Sequence, residues 1–377
     1  MSKRTAPAAE GGVQRQTPLP KRQKLDTPRG PPPKAEEIHS ARQLQHLLVF
    51  EQGNTQQLRN GIQSLKVFLE SILYPNDDHP LPRQRAILRE FLDTQKPRTN
   101  DQDAPFMSNL IQTWSFASDS NNDHIASAAV AVLALLLKTL SHNLELRDYG
   151  MQLCRTILQV SQLKLLARGL SAPKHKESAI SPCLRLLTEI VSFDGGAVAK
   201  QLYSKRDFTF EGKILARNLG IRHTDEEAAK AKRRPSVRTN AVKYVLAHFR
   251  NQEEGAKIDI LKHGNVMRAL FDHIRDDPPD VAAEILDVVK SHVIADKEIP
   301  RASKSHLLTD RALSNIAGLY RVEQALEEGS DKKAIDIVAH RFLLHTKSLS
   351  MEIMMQATEA SIWDWIRSSG TTATGDV

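Results

Sequence analysis

The sequence predicts an all-α fold in which helices of roughly 10–18 residues stack as an α-solenoid of the armadillo or HEAT type. Apolar residues recur at helical spacing from about residue 35 onward, and no turn dipeptide sits between segments of alternating apolar residues. Aromatic residues, which favour strands, make up only 5% of the chain. No clean repeat signature accompanies these helices, so a compact helical bundle is the structural alternative.

The first half of the chain contains five apolar segments at helical spacing, separated by proline-containing or polar breaks. They are Leu44–Leu48, Leu58–Ile72, Ile87–Leu92, Phe106–Phe116 and Ile125–Leu140. The last of these is apolar on nearly all sides, which predicts a central, buried helix. Its most apolar stretch, Ala128–Leu137, is shorter than the roughly 20 residues of a membrane-spanning helix, so no membrane contact is expected.

The second half continues the pattern with clearer helix boundaries. Leu144–Val160 and Leu163–Leu170 are the next helical segments. Boundary signals follow at Ser181-Pro182 (a cap and a first helical residue), Gly195-Gly196 (a stop), Ser236 (a cap), Pro278-Pro279-Asp280 (a start) and Pro300 (the start of a last helix through Leu319). These signals place a helical repeat domain at residues 35–345, followed by an atypical, partly disordered segment at 346–377.

The net charge of +7 is concentrated at the N-terminus. Residues 1–34 contain eight basic and two acidic residues and are rich in proline and glutamine, a composition that predicts disorder. Two basic clusters in this tail, Lys3-Arg4 and Lys21-Arg22 with Lys24, have the spacing of a bipartite nuclear import signal. The sequence therefore predicts a nuclear protein whose tail binds an import receptor.

Motifs for catalysis or cofactor binding are absent from the sequence. It contains no phosphate-binding loop, no dinucleotide-binding glycine pattern, no His-Glu-x-x-His and no nucleophile elbow. The two cysteines, Cys154 and Cys183, lie in apolar helical patterns and are predicted to be core residues, and His263 and His273 are predicted to be structural. We therefore expect no enzyme activity, catalytic residue, cofactor, metal or small-molecule substrate; a nuclease or RNA-modifying enzyme would require clustered acids around a metal.

One basic segment stands out within the helical region. Five basic residues fall within nine positions: Lys230, Lys232, Arg233, Arg234 and Arg238. Pro235 and Ser236 follow the run and predict a loop that leads into a capped helix, where exposed N–H groups favour phosphate binding. We interpret these five side chains as contacts to RNA or phosphate, directed at the backbone because aromatic residues are scarce in this segment.

Several blocks of the sequence, in order along the chain, resemble the N-terminal domain of the nucleolar pre-ribosomal-associated protein one family. They are Cys183–Lys200 with its continuation to Leu219, Arg234–Leu246, Asp280–Lys290 and Leu313–Tyr320. The resemblance covers about residues 58–320 and is greatest to fungal members. Family members are typically much longer than 377 residues, which indicates a truncated paralogue, a fragment or a mispredicted gene end.

The resemblance implies a non-catalytic α-solenoid that works in the nucleolus. It implies association with early large-subunit precursor particles, binding of pre-ribosomal RNA, and cooperation with a helicase and other assembly factors in RNA processing. No catalytic residues accompany the family. The alternative is a nuclear armadillo-like adaptor that binds only protein partners.

Overall fold

The computed structural model describes residues 31–75, 81–96, 105–174, 176–196, 198, 211–221, 236–251, 254–307 and 309–320. The chain divides into two units, 1–32 and 33–377, and the helices that the structure describes belong to the second. Within the described ranges all regular structure is helical, and no strand is present. The all-α prediction is therefore confirmed for this part of the chain.

Fifteen α-helices are found in the described ranges. They are α1 (Ala41–Leu47), α2 (Thr55–Leu73), α3 (Leu81–Thr94), α4 (Ser108–Asp119), α5 (Asp123–Ser141), α6 (Arg147–Ile157), α7 (Val160–Leu170), α8 (Glu177–Ser192), α9 (Glu211–Leu219), α10 (Val237–Arg250), α11 (Glu254–Leu261), α12 (Gly264–Asp272), α13 (Pro279–Val289), α14 (Arg301–Ser305) and α15 (Asp310–Tyr320). Short 3₁₀ turns at Leu144–Leu146, Phe193–Gly196 and Ile274–Asp276, and a π-helical turn at Lys290–Ile294, connect some of them.

Side-chain caps explain where several of these helices begin. The side-chain oxygens of Ser40, Asn54, Asn122 and Ser236 each accept a hydrogen bond from the backbone N–H three residues further on. This bond satisfies one of the N–H groups that have no partner within a helix. The cap predicted at Ser236 is confirmed, with 2.9 Å between its Oγ and the backbone nitrogen of Thr239.

One row of helices forms the centre of the fold. In this row α2, α5, α8, α10 and α13 each pack against the next. Contacts between corresponding ends show that α5 and α8 run parallel, as do α8 and α10. Lys176, just before α8, forms an ion pair of 2.6 Å with Asp123 at the start of α5. Asn251, just after α10, donates to the carbonyl of Val191 near the end of α8.

A second row, which we call the outer row, consists of α4, α7, α9, α12 and α15, again with each helix packed against the next. Arg168 near the end of α7 pairs with Asp119 at the end of α4, at 3.1 Å. Arg217 near the end of α9 donates to the carbonyl of Leu170 at the end of α7, at 2.6 Å. The first three outer-row helices are therefore parallel, and α9 is antiparallel to α10, whose first turn contacts the end of α9.

The central position predicted for the apolar segment Ile125–Leu140 is confirmed. Leu133, Leu136, Leu137 and Leu140 of α5 are completely buried, and the helix packs against α2, α4 and α8. Of the helices in the described ranges, α5 alone is long and apolar enough to cross a membrane by length and composition. Its burial between three helices accounts for the apolar composition as that of a core helix.

One predicted helix start and the extent of one predicted helix are wrong. Helix α8 begins at Glu177, so that Pro182 lies inside the helix rather than at its first position. Proline there removes one backbone hydrogen bond, a cost that the buried face of α8 offsets. The helix start after Pro300 is confirmed, but the single helix expected to continue through Leu319 is two helices, α14 and α15.

The predicted stop at Gly195-Gly196 is confirmed. Both glycines have positive φ angles, 63° and 101°, which end the helical path after α8. Position 196 has no room for a larger residue, because a Cβ there would lie 1.7 Å from the side-chain oxygen of Asn251. The glycine pair thus permits the close contact between the end of α8 and the end of α10.

Candidate functional site

Most of the predicted site residues lie outside the described residues. This applies to the import-signal residues Lys3, Arg4, Lys21, Arg22 and Lys24. It also applies to four of the five predicted phosphate contacts, Lys230, Lys232, Arg233 and Arg234, and to the segment 346–377. The structure begins again at Ser236, so that of the predicted contact set Arg238 alone has a described position.

Arg238 lies in the first turn of α10 and points into the protein. Its Nε and Nη2 donate to the two carboxylate oxygens of Asp277, at 2.6 and 2.5 Å. Nη1 donates to the carbonyls of Leu219 and Ala269, and Nη2 also donates to the carbonyl of Leu270. Only 6% of the arginine side chain and 3% of the aspartate side chain are exposed.

These contacts correct the prediction for Arg238. A guanidinium has five N–H donors, and all five are used by Asp277 and three backbone carbonyls, which leaves none for a phosphate. The carbonyls belong to the last turns of α9 and α12, so Arg238 joins both helices to the start of α10. Burial raises the pKa of Asp277 above its usual value, and the neighbouring guanidinium opposes that rise.

Exposed basic side chains occur on successive helices of the outer row. Lys164 and Arg168 lie on α7, Lys213 on α9, Arg268 on α12 and Arg311 on α15. Arg168 is paired with Asp119, and Arg311 is paired with Asp272 at 2.6 Å. Within the described part of the chain, no hydrogen bond or ion pair engages Lys213 or Arg268. The outer row therefore carries two exposed cations, Lys213 and Arg268, that no described residue pairs with.

A trough of about 290 Å³ lies between α9 and α12. Its lining residues are Lys213, Ala216, Gly220, Asn265, Arg268, Ala269, Asp272 and His273. The two helices run parallel, because a Cβ on Gly212 would lie 2.9 Å from the ring of His263 at one end, and a Cβ on Gly220 would lie 3.8 Å from the ring of His273 at the other. Small residues form the floor of the trough, and Lys213 and Arg268 stand on opposite walls.

A second cavity of about 380 Å³ lies between α4, α5, α7 and α8. Its wall includes Trp114 and Cys183 together with two cations, Arg168 and Lys176. Both cations are paired with carboxylates, at 3.1 and 2.6 Å. The cavity therefore combines an apolar wall with neutralised charges, and it shows no cluster of groups suited to catalysis.

The cysteines occupy the core, as predicted. Cys154 and Cys183 are buried free thiols, and burial raises the pKa of each to about 12, so that neither is a reactive thiolate near neutral pH. His263 and His273 are half-buried at the two ends of α12, which agrees with structural roles. Over the described ranges, no three His, Cys, Asp or Glu side chains are grouped so that they could hold a metal ion.

His248 of α10 is a buried titratable group that the sequence did not single out. It is 1% exposed, and its ring meets that of Tyr244 edge-on, with 4.6 Å between the centroids. Burial, assisted by the nearby His263, lowers the pKa of His248 from 6.5 to about 3. The native protein therefore holds this ring neutral, whereas the unfolded chain binds a proton as the pH falls below 6.5.

We expect His248 to make the protein acid-sensitive. Its stabilising contribution is complete above pH 6.5 and decreases as the pH falls towards 3, which corresponds to about 2 kcal/mol lost between pH 6.5 and 5. Urea unfolding across this range should show a shallower pH dependence for His248→Gln than for the unsubstituted protein. His142→Gln, at an exposed histidine, is the control. Equal pH slopes in the two variants would contradict the assignment.

The trough was missed because its residues are distant in sequence. Lys213 and Arg268 are isolated cations in amphipathic helices, and each alone has the pattern of a solvated helix face. Only the pairing of α9 with α12 places them across one trough. Lys213, Ala216 and Gly220 share one face of α9, and this spacing is the one local signal of the trough; small residues on a helix face more often indicate close packing.

The fold and the site define a class of protein: an all-α protein built from rows of stacked helices, with a cationic trough rather than a catalytic cluster in the described part of the chain. The family model for the ribosome 60S biogenesis N-terminal region (Npa1) matches residues 107–357. The chain belongs to this family, which confirms the resemblance found in the sequence. The match begins after α3 and continues beyond residue 320, so its limits differ from the 58–320 expected.

A curated relative supports the same assignment. The chain is 27% identical over 219 residues to Nucleolar pre-ribosomal-associated protein 1 of Saccharomyces cerevisiae. The aligned region is 57% of this chain and 12% of the yeast protein, so the chain corresponds to a small part of that relative. No solved structure matches the chain.

Proposed function

We propose that the protein is a non-catalytic scaffold in 60S ribosome biogenesis that acts in the nucleolus on early large-subunit precursor particles. The observation that carries this proposal is the family match over residues 107–357. The name of the yeast relative, a nucleolar pre-ribosomal-associated protein, supports the location and the particle. The partners proposed from the resemblance are pre-ribosomal RNA and assembly factors, including a helicase.

The helical arrangement supports an α-solenoid of armadillo or HEAT type as the form of this scaffold. Helices of the central row alternate with helices of the outer row along the chain, as in the pairs α4–α5, α7–α8 and α9–α10. Parallel packing of successive helices within each row is what stacked helical repeats produce. Such stacks present long surfaces to several partners at once, which suits assembly of a large particle.

The proposed RNA contact is the basic run Lys230, Lys232, Arg233 and Arg234, without Arg238. The residues that follow this run support the proposed contact. The run leads into α10, which begins with the Ser236 cap and the N–H groups of its first turn. Contacts of this kind are to phosphates, so they add affinity with little base specificity. The basic tail, with Lys3, Arg4, Lys21, Arg22 and Lys24, is proposed to bind an import receptor that brings the protein to the nucleus.

Reversing the charge of Lys232, Arg233 and Arg234 to glutamate should weaken binding to a large-subunit precursor RNA. Each lost phosphate contact removes about one unit from the slope of log affinity against log salt, so the slope should fall by roughly three units. The matched control reverses Arg83, Arg85 and Arg89, three exposed arginines of α3. Titrations of the whole chain with labelled RNA at several salt concentrations measure both slopes.

Crosslinking of the tagged protein to RNA in cells, with imaging of the same cells, tests the wider proposal. Enrichment of large-subunit precursor RNA from a nucleolar protein supports the scaffold. The alternative is an adaptor that binds only proteins. It is indicated if the protein is nuclear but crosslinks to no RNA above background, and if the charge-reversed variant still associates with precursor particles. A cytoplasmic protein would contradict both functions.

A further inference from the structure

The trough between α9 and α12 contains two cations that are not paired with a described carboxylate. Lys213 lies on α9, at one side of the trough, and Arg268 lies on α12, at the other. Neither makes a hydrogen bond or ion pair with any residue that the structure describes. The one acid in the lining is Asp272. It forms an ion pair of 2.6 Å with Arg311, a residue that does not line the trough. The trough is therefore complementary to negative charge.

The dimensions of the trough restrict what can enter it. Its floor is formed by Ala216, Gly220 and Ala269, whose small side chains leave the space of about 290 Å³. Lys213 and Gly220 are seven residues apart on one helix, which corresponds to about 10 Å along the trough. An extended peptide advances about 3.3 Å per residue, so three or four residues fill that length.

Nucleic acid fits this trough poorly. Packed helix axes are about 8–10 Å apart, so the space between two of them is narrower than an A-form duplex. A single strand gains most of its affinity from bases stacked on aromatic rings, and no Phe, Tyr or Trp lines this trough. An extended acidic peptide meets both conditions, because its backbone is slim and its carboxylates bind lysine and arginine by charge-assisted hydrogen bonds.

We propose that the trough between α9 and α12 is a docking site for an extended acidic segment of a protein partner. Carboxylates of the segment pair with Lys213 on one wall and Arg268 on the other, and its backbone lies over the alanine and glycine floor. The Asn265 side chain, in the first turn of α12, offers a polar contact to the peptide. This interaction is separate from the RNA contact at residues 230–234 and goes beyond the scaffold function proposed above.

A fluorescent hexaglutamate peptide serves as the probe, with the whole chain titrated and polarisation measured. Lys213→Glu with Arg268→Glu should weaken binding at least tenfold. The matched control is Lys243→Glu with Arg155→Glu, which makes the same change in net charge at two exposed positions outside the trough. Equal losses in the two double variants would show that only net charge matters, and would overturn the site.

A second variant separates shape from charge. Ala216→Leu fills the floor of the trough and leaves every charge in place, so it should also weaken hexaglutamate binding at least tenfold. Thermal unfolding of each variant verifies that it is folded. Full hexaglutamate affinity in a folded Ala216→Leu protein would overturn the proposal. The proposal would also be overturned if an RNA oligonucleotide displaced the peptide and its binding were weakened as much by the Lys213 and Arg268 substitutions.

Discussion

Replacing Arg238 by methionine is expected to lower the free energy of unfolding by about 3–5 kcal/mol. The substitution leaves the carboxylate of Asp277, which is 3% exposed, buried without its partner. It also removes the donors that satisfy the carbonyls of Leu219, Ala269 and Leu270 at the ends of two helices. Urea unfolding followed by circular dichroism measures the loss.

Two further variants test whether the buried pair itself causes that effect. Arg155→Met makes the same side-chain change at an exposed position on α6 and should alter the unfolding free energy by about 0.5 kcal/mol or less. Adding Asp277→Leu to Arg238→Met removes the orphaned charge and should recover part of the lost stability. A double variant less stable than Arg238→Met would show that the carboxylate is not the source of the penalty.

Leu133→Ala in α5 is expected to cost about 2–5 kcal/mol of unfolding free energy. Leu133 is completely buried in a helix that packs against α2, α4 and α8, so the neighbours on three sides limit how far the cavity can collapse. Loss of the leucine therefore combines the lost transfer free energy with the cost of a cavity. Chemical unfolding of the purified protein gives the value.

Val67→Ala in α2 is the control for this result. Val67 is 42% exposed, so its truncation should change the unfolding free energy by about 0.5 kcal/mol or less. The contrast between the two variants distinguishes a core helix from an apolar helix whose surface is free to meet a membrane. Equal, small effects at Leu133 and Val67 would contradict the central position of α5.

The outer row and the basic run together suggest how a scaffold of this kind divides its contacts. The run at residues 230–234 is proposed to contact RNA phosphates, whereas the trough accepts a slim acidic peptide. The two lie close together in the chain, because α9 forms one wall of the trough and the run lies between α9 and α10. The RNA contact and the peptide-docking site are therefore proposed for neighbouring parts of the sequence.

Arg238 shows where the sequence-based interpretation failed. In the sequence it is the fifth member of a basic segment. Pro235 and Ser236 separate it from the other four and place it in the predicted helix, but its neighbours in the chain do not show that its side chain is buried. The groups that accept hydrogen bonds from Arg238 are carbonyls of α9 and α12 and the carboxylate of Asp277, in the turn before α13. These groups are distant from Arg238 in the sequence, and no local pattern predicts such contacts. The sequence alone therefore does not distinguish a structural arginine from a phosphate contact.

The sequence by itself determined the helical class, the burial of α5, the helix start at Ser236 and the stop at Gly195-Gly196. These features follow from the 3.6-residue period and from capping and glycine chemistry, which act over a few residues. Only the tertiary structure decided the helix start before Pro182, the burial of Arg238 and His248, and the trough between α9 and α12. Each of these depends on which helices pack together, and packing joins residues whose local sequences carry no information about one another.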